Sequence, residues 1–291
     1  MDEKNWDTYY LYHKGNADEI LKEIVHPAVE NIQYSLKKTV KFFFIRYFEN
    51  GYHIRLRLLL SSKESPLFIS LLTHCISDYE FSHDTKIVLK KDQYIPETER
   101  YGNSETIMYA EDQFYASSRF VLHQLTENTS LTASERYSFA MNTHLAFFKG
   151  MKLSQEYTLQ LCDEFVESWL PIPASSDSHE QDENKKNLFA VFQQQFDLYK
   201  DSLYQNAINF WNLPDTSKDP FTLQFMETNR EVSQKYIDSN LPAEAVTEAL
   251  LSFIHMTNNR IGIVNAEESY LLFLVRQTIN LIKNYEHPSR A

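Results

Sequence analysis

Polar and apolar side chains alternate over Tyr52–Leu58, with Ile54, Leu56 and Leu58 on one side of an extended chain and His53, Arg55 and Arg57 on the other. Successive side chains on a strand point to opposite faces, so the pattern predicts a strand with one apolar and one cationic face. Just upstream, Val40–Phe48 is dense in aromatic and β-branched residues and reads as a second strand. Asn50-Gly51 between the two is a hairpin signal, because both residues tolerate positive φ. A two-residue Asn50-Gly51 loop pairs Tyr47 with Ile54, Ile45 with Leu56 and Phe43 with Leu58. The same register sets Phe48 opposite His53, Arg46 opposite Arg55 and Phe44 opposite Arg57. A longer loop with a bulge is the alternative, and a one-residue slip exchanges the faces.

The flanking pattern extends the scheme. Trp6–His13 reads as a strand, Asn16 as the cap of a helix over 17–32 that Pro27 kinks or re-nucleates, 66–79 as a second helix and 86–94 as a last strand. The order β-α-β-β-α-β is the ferredoxin-like one. Beyond Gly102 helical periodicity runs almost to the end, over 104–125, from the capping box Thr132–Glu135, and over 155–169, 187–211, 221–238, 242–258 and 266–285. Residues 171–186 are polar, acidic and aperiodic, and read as a flexible acidic loop. The expected fold class is α+β: an N-terminal ferredoxin-like sheet covered by a large C-terminal set of helices. Residues 1–291 are read as a single domain, because the small sheet needs a cover that the later helices can supply.

Composition narrows the function. The formal net charge of -12 argues against broad binding to nucleic acid or anionic membrane. The two cysteines, Cys75 and Cys162, match no metal or redox spacing and read as buried free thiols. No signal-like or membrane-spanning stretch is legible, so a cytoplasmic location is expected. Phosphate loops, dinucleotide fingerprints, nucleophile elbows and zinc-spaced histidines are absent from the sequence, and no metal or cofactor is expected.

The cationic strand face is therefore the leading chemical feature. Three potential cations side by side repel one another unless an anion sits among them, and a solvated sheet face is the competing explanation. Two further segments attract notice. Tyr94–Gly102 leaves the last strand with Arg100 placed to line a crevice, and Ile254–Arg260 carries His255 at the end of an apolar helix. A satisfied core histidine explains His255 as well as catalysis does. His26, His74, His123 and His144 lie within helix patterns and His179 in the acidic stretch.

Taken in order, these segments resemble a known family. Phe43–Tyr47 with His53–Arg57, Tyr94–Gly102 ("Y-x-P-E-x-x-R-Y-G"), Ala110–Phe114 ("A-E-x-x-F") and His255–Arg260 ("H-M-x-x-N-R") are similar to the thiopeptide-type bacteriocin biosynthesis domain. That domain is also the C-terminal elimination domain of class I lantibiotic dehydratases. The resemblance runs from Trp6 to Arg260. The chain departs from it at Asn103, where a second glycine is common, and at Ala116-Ser117, where Asp-Ser is common.

The resemblance implies a lyase that removes glutamate from glutamylated Ser or Thr of a ribosomal precursor peptide, giving dehydroalanine or dehydrobutyrine. It implies Arg55, Arg57, Arg100 and His255 as catalytic residues, and Arg46, His53, Tyr101, Glu111, Asn259 and Arg260 as substrate-binding ones. Its partners would be the modified precursor peptide and a separate tRNA-dependent glutamylating subunit, with no direct nucleic-acid contact; it leaves room for a homodimer. Two alternatives stay open: a stand-alone pyridine synthase performing a formal [4+2] cycloaddition, and a non-catalytic scaffold for peptide or partner.

Overall fold

The computed structural model describes residues 4–128, 130–171, 178–214, 218–264 and 266–286. They are α+β and divide into two compact units, Met1–Leu131 and Thr132–Ala291. In the first unit β1 (Lys4–Tyr12) leads to α1 (Ala17–Ile20), a π-helical turn (Leu21–Val25) and α2 (His26–Leu36). The chain continues through β2 (Phe42–Tyr47), β3 (His53–Ser61), α3 (Ser65–His83), β4 (Val88–Gln93), a 3-10 turn (Thr98–Tyr101) and α4 (Ile107–Glu127). Pro27 accounts for the π turn: proline cannot donate a backbone bond, and the helix re-registers just before it, with the His26 N–H donating to the Leu21 carbonyl. Asn16 caps as its position predicts, its Oδ1 accepting from the Asp18 N–H at 2.9 Å.

The four strands form one antiparallel sheet in the order β2-β3-β1-β4. The register of the hairpin corrects the one expected. Tyr47 pairs with His53, Ile45 with Arg55, Phe44 with Leu56, Phe43 with Arg57 and Phe42 with Leu58. The connection spans Phe48–Tyr52 rather than two residues. Asn50 and Gly51 do take positive φ, 60° and 106°, but they sit in a turn closed by the Gly51 N–H donating to the Phe48 carbonyl at 3.1 Å. The loop therefore holds an odd number of residues, and β2 moves by one position. Phe43, Ile45 and Tyr47 join the cationic face, while Phe44 and Arg46 turn to the other.

That other face is the core of the unit. Tyr9, Leu11, Phe42, Phe44, Ile54, Leu56, Leu58 and Leu60 are at most 3% exposed, and Tyr9 meets Phe68 of α3 with ring centroids 5.4 Å apart. Arg46 ends here, 2.6 Å from the Asp18 carboxylate of α1. α4 runs along the outer edge of β2, where the Phe44 N–H donates to Ser118 Oγ at 3.1 Å.

The second unit is helical: α5 (Ala133–Met151), α6 (Gln155–Ser168), α7 (Ser178–Asn212), α8 (Pro220–Asp238), α9 (Ala243–Ile261) and α10 (Ala266–Glu286). The Thr132–Glu135 capping box opens α5 as predicted. α5 and α8 approach so closely at Gly150 that a Cβ there would lie 2.7 Å from the Met226 carbonyl oxygen. The expected loop over 171–186 is corrected in its second half: α7 begins at Ser178, and 172–177 lie outside the described residues. An acidic run suits a helix N-terminus, where Glu180 meets the positive end of the macrodipole, and Lys185 adds an ion pair with Glu167 at 2.9 Å. No helix among the described residues is long and apolar enough to cross a membrane.

Candidate functional site

The cationic face of β3 is not washed by solvent. His53 is 1% exposed and Arg57 8%, which removes the wet-sheet explanation. The His53 ring is neutral in character, because burial first of all holds it below its ordinary pKa, with Arg55 and Lys90 adding to the effect. Its Nδ1–H donates to the Gly51 carbonyl at 2.8 Å, which leaves Nε2 to accept from Arg55 Nε at 3.1 Å. The hairpin turn thus fixes His53, and His53 fixes Arg55. The Arg55 guanidinium lies 3.4 Å from the Tyr47 ring centroid and 4.8 Å from that of Tyr10.

Arg57 is held differently. Its guanidinium lies 5.2 Å from the Phe43 centroid and 4.8 Å from that of Tyr94. Among the described residues it makes no ion pair, and its Nε has no hydrogen-bond partner. Thr8 stands opposite it on β1, and the Thr8 Oγ1 is buried and unpaired as well. Burial lowers the Arg57 pKa, Arg55 lowers it further, and Tyr94, Tyr10 and Glu97 oppose the shift. A cation–π contact contributes about 0.5–2 kcal/mol, whereas burying an uncompensated charge costs several kcal/mol. Aromatic rings alone do not balance Arg57; an anion would.

The surrounding residues fix the walls of this site. Glu111 of α4 is hydrogen-bonded to Trp6 and Tyr94, and burial raises its carboxyl above the ordinary range. It thereby holds Tyr94 against Arg57. Tyr101 is buried against Phe114, centroids 4.9 Å apart. Arg100, in the 3-10 turn, donates to Glu97 at 3.2 Å. Gly102 follows at φ 104°, a conformation open to glycine and strained for other residues, and Thr106 Oγ1–H donates to the Tyr101 carbonyl at 2.8 Å to tie the turn to α4. Asn103 does not cap α4, whose N-cap is Thr106; its Oδ1 instead accepts from the Glu105 and Thr106 N–H groups within the turn that precedes the helix.

Arg55, Arg57, His53, Arg100, Tyr101 and Glu111 all belong to the first unit. Arg46 stands apart from them, on the opposite sheet face. His255, Asn259 and Arg260 belong to α9 of the second unit, where Arg260 is fully buried. His255 is half-buried, its Nδ1 lies 2.9 Å from Glu268 Oε2, and its ring lies against Trp169 at 5.3 Å. Glu268, Thr8, Trp6 and Tyr94 were not singled out as site residues in the sequence. Trp6 and Tyr94 carried a signal, as aromatics in the flanking strands; Glu268 carried none beyond its place in the first turn of a helix. Among the described residues no group of three His, Cys, Asp or Glu side chains could hold a metal ion.

Comparison with known proteins agrees with the family resemblance of the sequence. No curated protein sequence matches. Among solved structures, the pyridine synthase TbtD from thiomuracin biosynthesis is similar at a TM-score of 0.70 and 12% identity, over 96% of this chain and 99% of that one. The tRNA-dependent lantibiotic dehydratase MibB from Microbispora sp. 107891 gives 0.65 and 18%, over 97% of this chain but 28% of its own. TsrL gives 0.65 and 13%, over 98% and 96%. Residues 6–279 match the lantibiotic biosynthesis dehydratase C-terminal family, and the chain belongs to that family.

Proposed function

We propose that this protein eliminates glutamate from glutamylated Ser or Thr of a precursor peptide, as the separate elimination subunit of a split class I lantibiotic dehydratase. The observation that carries the reading is Arg57: a buried guanidinium gripped by aromatic rings, with no carboxylate partner among the described residues. In the elimination the Cα–H bond breaks, the Cα=Cβ bond forms, and the Cβ–O ester bond breaks with its electron pair leaving on glutamate. Negative charge develops on the residue's carbonyl oxygen and then on the departing carboxylate. Arg57, Arg55 and Arg100 supply fixed donors for that charge, and a guanidinium fork matches a carboxylate. His255 moves the proton. The protein would work in the cytoplasm beside a glutamylating subunit. Residues 1–291 are read as one elimination-type domain, and the sheet order β2-β3-β1-β4 supports a ferredoxin-like sheet within it.

The pyridine-synthase reading is favoured by the near end-to-end superposition on TbtD. It has no leaving carboxylate for Arg57 to receive. Mass spectrometry of a synthetic glutamyl-Ser peptide incubated with the purified protein separates the two. Glutamate release with dehydroalanine formation is the expected result. Inertness there, with leader loss from a bis-dehydroalanine peptide, would replace elimination by cycloaddition.

A further inference from the structure

We propose that Glu268 is the positioning residue of His255: it holds the ring in the Nδ1–H tautomer and leaves Nε2 as the atom that takes or gives the proton. The assignment to elimination rests on the function proposed above; the tautomer does not.

Glu268 opens α10 and is 2% exposed, yet it is a carboxylate. Its Oε2 accepts from His255 Nδ1 at 2.9 Å and from Asn258 Nδ2 at 3.3 Å. An ionised carboxylate only accepts, so both partners must donate. The amide of Asn258 is thereby oriented, and its Oδ1 faces His144 Nε2 at 2.6 Å. His144 must then donate from Nε2. Burial holds His144 neutral, pulling its pKa down to about 4, and its Nδ1 has no hydrogen-bond partner among the described residues. The donations therefore converge on Glu268, from His144 through Asn258 on one side and from His255 Nδ1–H on the other, so the carboxylate is what keeps the proton on His255 Nδ1.

The ring is also held by its face. Trp169 lies against it at a tilt of 35°, and the Trp169 carbonyl accepts from the Oγ–H of Ser269, one residue after Glu268, at 2.5 Å. The residue carrying the carboxylate and the one fixing the aromatic wall are thus neighbours on α10. A role in packing alone would favour an apolar side chain at a 2%-exposed position, because burying a charge is costly unless it is paired. Selecting which imidazole nitrogen carries the proton is what a carboxylate on Nδ1 adds.

The test is 15N NMR of the full-length protein labelled at histidine, with the His255 signals identified by their loss in His255→Gln. In the neutral ring Nδ1 is expected to be protonated and Nε2 bare. Glu268→Ala should move the proton to Nε2 and lower kcat for glutamate release about a hundredfold or more with KM little changed. Glu268→Asp, which retains a carboxylate, should restore Nδ1–H and at least a tenfold share of kcat. A wild-type ring protonated on Nε2, or an alanine variant that keeps Nδ1–H, would overturn the proposal, as would a loss confined to KM. A wild-type protein inert toward glutamyl peptide would overturn the elimination reading while the wild-type tautomer still decides the role of Glu268.

Discussion

The two units handle their ionisable groups in opposite ways. On the sheet, Arg57 is buried among rings with no carboxylate partner among the described residues, whereas in the helical unit His255 is tied to a buried carboxylate, which is tied to an amide and through it to a second histidine. The first arrangement stores a demand for negative charge. The second satisfies its charges internally and uses the satisfaction to fix geometry. An unpaired cation suits a group that receives an anion, and an imidazole fixed at one nitrogen suits a group that moves a proton at the other.

The comparison breaks most readily at its two named residues. His255→Ala should reduce glutamate elimination by about 10²–10⁴-fold, the range for a general acid–base group. Arg57→Ala should reduce it by about 10²–10³-fold, as for loss of a donor to developing charge. Glutamylated peptide should accumulate with both, as read by mass spectrometry, while circular dichroism stays unchanged. Normal dehydration by either variant would sink the assignment. Arg57→Lys is the sharper form: it keeps the charge, loses the fork, and should recover little.

Acid acts on stability in both units. His144, with its pKa near 4, is neutral when folded and protonates near 6.5 when unfolded. The unfolded chain then binds the extra proton, so stability is complete above about pH 6.5 and is lost as pH falls toward 4. About 2.5 units correspond to roughly 3 kcal/mol. His13, His26 and His53 are lowered too and push the same way. Urea titrations at pH 7 and pH 5 check the sign; equal midpoints would refute it. His144→Gln should flatten the dependence.

The smallest expected effect on rate belongs to Arg46. Its partner is Asp18 on the helix-covered face, and both side chains are mostly buried, so Arg46→Ala should destabilise the fold by about 3 kcal/mol yet leave elimination per folded molecule intact. A well-folded variant without activity would return Arg46 to the site and refute the separation of faces.

These contrasts also mark what the sequence could tell. Alternation over His53–Leu58 needs only the period of a strand, so its two faces were legible. The partner strand was misassigned by one residue because Asn50-Gly51 specifies positive φ but not the length of the loop around it; the turn closes on Phe48 instead. That single position moved Arg46 away from Arg55. Helix α7 was legible only from 187 onward, because its first turns are favoured by the dipole and by Lys185–Glu167 rather than by an apolar stripe. His255 was visible through the family pattern, but Glu268 was not: its partner lies across a helix–helix contact, and no spacing along one helix reports it.

The seam between α4 and β2 has a consequence for self-association. An edge strand offers unpaired backbone groups to any other extended chain, and that is how sheet proteins aggregate. Here Ser118 occupies the Phe44 N–H on the β2 side, so that border is already closed. The other border, β4, is exposed and carries charged side chains, Lys90, Lys91 and Asp92, on both faces, a device that discourages edge-to-edge pairing. A sheet with one border covered and the other charged is, by this means, a poor template for another extended chain.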